Sequence, residues 1–101
     1  SNPLTINRRT FDVVPLIRQL TQSFQLIVLS GRNVTVQSNM DFPTLIINVD
    51  QIRLEQILRN LLSNAVKFTE EGIIEVGCKK DKEFYVFSVK DSGLELFSIV
   101  S

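Results

Sequence analysis

Residues 50–69 read DQIRLEQILRNLLSNAVKFT, and this stretch decides the fold. Leu54, Leu58, Leu61, Leu62, Ala65 and Phe68 recur at three- and four-residue spacing, which makes one apolar face of an α-helix. Arg53, Gln56, Asn60, Ser63, Asn64 and Lys67 recur on the opposite side. A solvated helix face is ordinarily rich in Glu and Lys; this one carries two carboxamides one turn apart and a lysine shortly after. Asn competes for the backbone inside a helix, so the pair costs on the order of 1 kcal/mol against alanine. A stripe that gives up helix propensity in this way is a candidate site, with a surface or capping role as its plain alternative.

Working outward, Asp50 is positioned to cap this helix. Before it, Leu45–Val49 (LIINV) predicts a short strand, apolar on both faces and therefore central. Val34–Ser38 (VTVQS) predicts another, and residues 39–43 a loop. An earlier helix is expected from about Asp12 to Ser30. Asp12 is its N-cap, Pro15 lies in its first turn, and Gly31 follows its end. Residues 3–9 form a lead-in with weak signal for an edge strand.

After the central helix, Glu70-Glu71-Gly72 is a turn. Ile74, Val76 and Cys78 alternate with polar or small residues, as in a half-buried strand. A tight turn at Asp81-Lys82 leads to a strand over residues 83–90, with Tyr85, Phe87 and Val89 on one face. The same parity turns Asp91 inward, where a carboxylate needs a partner. Residues 94–101 (LELFSIVS) are apolar without a clear register. The order helix, strand, strand, helix, strand, strand predicts an α+β chain: a two-layer sandwich with a mixed sheet and both helices on one face.

The 101 residues allow one domain at most. The composition, 44% hydrophobic and 22% charged with zero net charge, is that of a soluble globular chain and argues for neither nucleic acid nor a membrane surface. No apolar run approaches the roughly 20 residues of a membrane span. The single Cys78 suits a reducing compartment. There is no histidine, so no histidine in this chain can act as base, ligand or phosphoacceptor.

The polar stripe and the strand end together suggest nucleotide chemistry. One Asn oxygen plus nucleotide phosphates is an adequate set for Mg²⁺, which prefers oxygen and keeps several waters. Lys67 offers a point charge for phosphate. Asp91 can accept from an exocyclic amine, and Gly93 allows a ring to approach closely.

RLEQILRNLLSNAVKFT resembles the N box of sensor histidine kinases, within the superfamily that also holds DNA gyrase, certain heat-shock chaperones and mismatch-repair ATPases. Asp91-Ser92-Gly93 resembles the start of the first glycine box, Asp-x-Gly-x-Gly. The resemblance covers about Phe11 to Leu94 and implies a Bergerat-type fold. It implies ATP and Mg²⁺ as cofactors, with Asn64 on the metal, Lys67 near the phosphates, Asp91 on the adenine amine and Gly93 in the base pocket. Asn60 stands where ATP-hydrolysing relatives have a general-base glutamate. A carboxamide cannot take a proton from water at neutral pH, so transfer of the γ-phosphoryl group to a protein is favoured over hydrolysis. The implied partners are a histidine-bearing dimerisation domain and a response regulator, in the cytoplasm.

Departures from the pattern matter as well. Glu95 replaces the second glycine, and the chain stops eight residues after Gly93, before the family's lid and second glycine-rich box. The chain is therefore expected to be one truncated domain over residues 1–101, an ATP-binding fragment with weak nucleotide affinity and inactive alone. Two alternatives stand beside it. One is a degenerate, non-catalytic interaction module that self-associates through an open sheet edge. The other is a serine-kinase anti-sigma relative, which the Lys67-Phe68-Thr69 ending fits less well.

Overall fold

A computed structural model describes residues 5–91 and 95–100. The chain runs β1 (Arg8–Asp12), α1 (Val13–Ile27), β2 (Val34–Ser38), β3 (Ile46–Asp50), α2 (Gln51–Phe68), β4 (Gly72–Asp81), β5 (Phe84–Lys90) and β6 (Glu95–Val100). Four strands form a mixed sheet in the order β2-β4-β5-β6, with β2 parallel to β4 and the other pairs antiparallel. β1 and β3 form a separate antiparallel ribbon.

Strand alternation builds the core. Val34 and Val36 of β2, Ile74, Val76 and Cys78 of β4, and Phe87 and Val89 of β5 are buried on one face of the sheet. They pack with Leu16, Ile17, Leu20 and Phe24 of α1 and with Leu54, Leu58, Leu62, Ala65 and Val66 of α2. Both helices thus cover the same face, as the order of elements predicts. Burial pushes the Cys78 thiol up to about 12, so it stays protonated and packs as a small apolar group.

Four expectations are corrected. β3 is not central: only Ile47 and Val49 are buried, Ile46 and Asn48 face solvent, and its partner is β1. A short apolar run does not reveal whether one or both of its faces are covered. The lead-in strand is real but lies at Arg8–Asp12 rather than over residues 3–9. α1 ends at Ile27, before the β-branched Val28, whose N–H donates to the Phe24 carbonyl (3.2 Å); Gly31, at φ 92°, serves instead in the turn that follows. Phe68 is exposed rather than on the apolar face of α2. The tail that lacked a register is β6, paired from Lys90↔Glu95 to Tyr85↔Val100.

Two aspartates fasten the helices to the ribbon. Asp12 Oδ1 accepts from the N–H of Val14 (3.1 Å) and of Leu45 (3.0 Å), so one carboxylate caps α1 and holds the start of β3. Asp50 Oδ1 accepts from Arg53 N–H (3.2 Å) to cap α2, while its Oδ2 accepts from Asn7 N–H (3.0 Å) and pairs with Arg53 Nε (3.4 Å). The Asn7 N–H is the chief reason the Asp50 carboxyl lies below its ordinary value of 3.8; partial burial opposes it, and the Arg53 backbone and charge reinforce it. A carboxyl that is more acidic folded than unfolded stabilises the fold above its unfolded pKa, and the contribution is lost as pH falls through the folded value. Asp50→Asn is therefore expected to melt below the parent near neutral pH. The difference should shrink once the pH drops below 3.8; a gap that stays constant between pH values on either side of it would contradict the assignment.

Candidate functional site

The stripe on α2 survives as a solvent-facing feature. Asn60, Asn64 and Lys67 are all exposed, and the two carboxamides are separated by about 6 Å of axial rise. Their side chains share one helix face because the opposite face, Leu58, Leu62 and Val66, is consumed by the core. Lys67 Nζ lies 5.3 Å from the centroid of the exposed Phe68 ring, a cation–π contact. The local sequence therefore presents two amide groups and a cation along one line that ends at an aromatic ring.

Asp91 lies just beyond β5 and is half-buried. Thr69 Oγ1–H donates to its Oδ2 at 2.6 Å. Thr69 is itself buried and is the C-cap of α2, its N–H donating to the Ala65 carbonyl (2.9 Å). The structure thus joins the inward carboxylate to the end of the helix that carries the stripe. Gly93 lies outside the described residues. A concavity of about 320 Å³ at the strand ends is lined by Gly72, Ile73, Glu75, Lys90 and Asp91. A second, about 460 Å³, is lined by Arg53, Gln56, Ile57 and Asn60. These two concavities share no lining residue; among the described contacts, Asp91 is joined to α2, which carries Asn60, through Thr69.

Two contributors escape sequence reasoning. Thr69 had an indirect signal, since an inward Asp91 requires a donor. Arg32 had none: its guanidinium donates to the carbonyls of Val66 (2.8 Å) and Thr69, both at the C-terminal end of α2. Those carbonyls have no partner within the helix, and a cation there complements the helix dipole. Arg32→Ala is expected to lower stability by about 1–2 kcal/mol, read as a shifted urea midpoint. Hydrogen exchange should increase in the last turn of α2 before it increases in the centre.

The donor set suits a phosphate-bridged cation. Among the described residues no cluster of three or more His, Cys, Asp or Glu side chains could enclose a metal. An Asn64 oxygen combined with phosphate oxygens and water matches what Mg²⁺ accepts. Among the described residues no helix is long and apolar enough to cross a membrane.

Comparisons with known proteins agree with this layout. The family described as "Histidine kinase-, DNA gyrase B-, and HSP90-like ATPase" matches residues 49–96. The chain is 34% identical over 93 residues to the aerobic respiration control sensor protein ArcB homolog of Haemophilus influenzae, spanning 90% of this chain and 28% of that protein. It superposes on full-length ShkA, crystallised in complex with AMPPNP, with a TM-score of 0.77 at 27% identity, covering 88% of this chain and 19% of that one. The histidine kinase ThkA in complex with the response regulator protein TrrA gives 0.74 at 27% identity, covering 88% and 27%. The chain therefore spans less than a third of each of these proteins.

Proposed function

Because this chain belongs to the histidine kinase-, DNA gyrase B- and HSP90-like ATPase family, on its histidine-kinase side, we propose that it is the adenine-nucleotide-binding segment of a sensor histidine kinase. The observation that carries the reading is the Thr69–Asp91 hydrogen bond. It ties a carboxylate suited to an exocyclic amine to the end of the helix that bears the amide and lysine stripe.

Each residue has a stated task. Asp91 accepts from the adenine amine, and Gly93, two residues on, leaves room for the ring. Asn64 contributes an oxygen to Mg²⁺, and Lys67 moves from the Phe68 ring to meet phosphate oxygens. Bound Mg²⁺ supplies charge neutralisation to the phosphates. Asn60 orients groups near the terminal phosphate without acting as a base, which supports transfer to a protein over hydrolysis. The acceptor is a histidine on another domain, since this chain has none. A response regulator is the proposed downstream partner, by analogy with the ThkA–TrrA complex. The cytoplasm is the proposed location, where the Cys78 thiol stays reduced.

Titration calorimetry of the chain with Mg-AMPPNP tests the reading. Binding is expected, weakened when Mg²⁺ is removed and weakened again in Asn64→Ala. Absence of heat up to millimolar nucleotide would overturn it.

One observation favours a second reading, a non-catalytic interaction module that does not bind nucleotide appreciably. Residues Glu95–Val100, where the glycine box would continue, form strand β6 with Glu95 opposite Lys90. β2 and β6 are the outer strands of the sheet. On β2 the side chain of Gln25 blunts the edge, accepting from Val36 N–H (2.7 Å) and donating to the Val34 carbonyl (3.2 Å). Self-association on this reading uses β6, and sedimentation showing only monomer at high concentration would dismiss it.

A further inference from the structure

We infer that the Thr69 hydroxyl is a positioning residue for base selection: it holds Asp91 as an oriented, ionised acceptor, so that the site takes a 6-amino purine and rejects a 6-oxo purine. This rests on the nucleotide reading above and assigns a determinant of its specificity.

The inference starts from what Thr69 does not need its hydroxyl for. As the C-cap of α2 it is satisfied through its backbone: the N–H donates to the Ala65 carbonyl, and its own carbonyl accepts from Arg32. An extended C-cap at φ −89°, ψ 115° suits valine equally well. The residue is 4% exposed, a position where an unbonded hydroxyl is unfavourable. The hydroxyl instead reaches a residue 22 positions away, at 2.6 Å, a distance typical of a bond to an ionised oxygen.

The direction of that bond matters. An ionised carboxylate only accepts, so the hydroxyl must be the donor. Donation stabilises the charged form of Asp91 and fixes the plane of the carboxylate. Two backbone anchors, Ala65 and Arg32, hold Thr69 on either side, so the donor cannot drift. An ionised acceptor attracts an amine at position 6 of a purine and repels a carbonyl oxygen there. A protonated carboxyl loses that contrast because its O–H can donate to the carbonyl, and a rotated carboxylate loses it because its oxygen no longer points at the amine. A site that hydrogen-bonds a particular group discriminates strongly against the analogue lacking it.

The experiment compares the parent chain with Thr69→Val and Thr69→Ser, titrated with Mg-ATP and Mg-inosine triphosphate. Thermal melting is recorded for every variant. Thr69→Val, close to threonine in shape, is expected to weaken ATP binding about tenfold, with little change for inosine triphosphate, so the preference collapses. Thr69→Ser is expected to restore both affinity and preference. A merely structural role would lower the melting temperature in Thr69→Val and leave the ratio of the two nucleotides intact, which would overturn the inference.

A second arm needs no nucleotide. In a double-mutant cycle with Asp91→Ala, which removes the acceptor altogether, the Thr69→Val and Asp91→Ala effects on melting are expected to be strongly non-additive. Additive effects would show that the hydroxyl does not hold the carboxylate and would also overturn the inference. If the parent chain binds neither nucleotide, the nucleotide reading and base selection fail together, while non-additivity in the cycle would still establish Thr69 as the group that positions Asp91.

Discussion

Leu58→Ala is expected to lower stability by about 3–5 kcal/mol, a large part of the ~5–15 kcal/mol that holds a domain of this kind folded. Leu58 has no solvent exposure and lies mid-way along α2, in the core cluster that joins both helices to the sheet. Removing three carbons there takes away transfer energy and leaves a cavity that neighbours on fixed strands cannot fill. Urea unfolding measures it: the midpoint should drop steeply, or the variant should fail to fold. Asn60→Ala, two residues along on the solvent face, is the control. It should be neutral or slightly stabilising, because alanine is the better helix former. A loss below about 1 kcal/mol at Leu58 would mean that α2 does not pack on the sheet as described.

Asp91→Asn is expected to reduce affinity for Mg-AMPPNP by about 10- to 100-fold, the worth of a hydrogen bond to a charged group. The physical reason is that a carboxamide presents its own N–H₂ as well as an oxygen. With the Thr69 hydroxyl claiming the oxygen, the amide is left facing the adenine amine, donor against donor. The fold should persist, since the residue is half-buried at a strand end and the substitution conserves shape. Circular dichroism and melting confirm that, and calorimetry gives the affinity. Unchanged affinity in a folded variant would remove Asp91 from the base site and shift attention to the α2 stripe alone.

The two experiments probe parts of the chain that differ in how visible they are beforehand. The burial of Leu58 follows from three- and four-residue spacing, which any helix imposes. The inward direction of Asp91 follows from strand parity, counted from Phe87 and Val89. Its partner does not, because Thr69 lies in a different element and the contact spans 22 residues. Arg32 is further still from prediction: a loop arginine says nothing about which helix end its guanidinium will meet. Phe68 shows the limit of periodicity itself. Its spacing fits the apolar face, but in the last turn of α2 the core takes Ala65, Val66 and the C-cap Thr69, and the Phe68 ring is left exposed beside Lys67.

The elements that rest on local physics are legible in the order of residues alone. These are an amphipathic α2 capped by Asp50, an α1 capped by Asp12, the β4–β5 hairpin, and a polar stripe of Asn60, Asn64 and Lys67 facing away from the core. Period, capping and propensity act over a few residues and need no knowledge of the rest of the chain. What depends on distant segments meeting emerges with the folded chain. Folding paired β3 with β1 rather than with the main sheet, laid β6 against β5, turned Gln25 onto the edge of β2, and closed the Thr69–Asp91 bond. Those outcomes depend on which backbone edges and buried polar groups find partners once the core has formed. The helix of residues 50–69 thus carries its stripe from local sequence alone, while its link to Asp91 exists only in the folded chain.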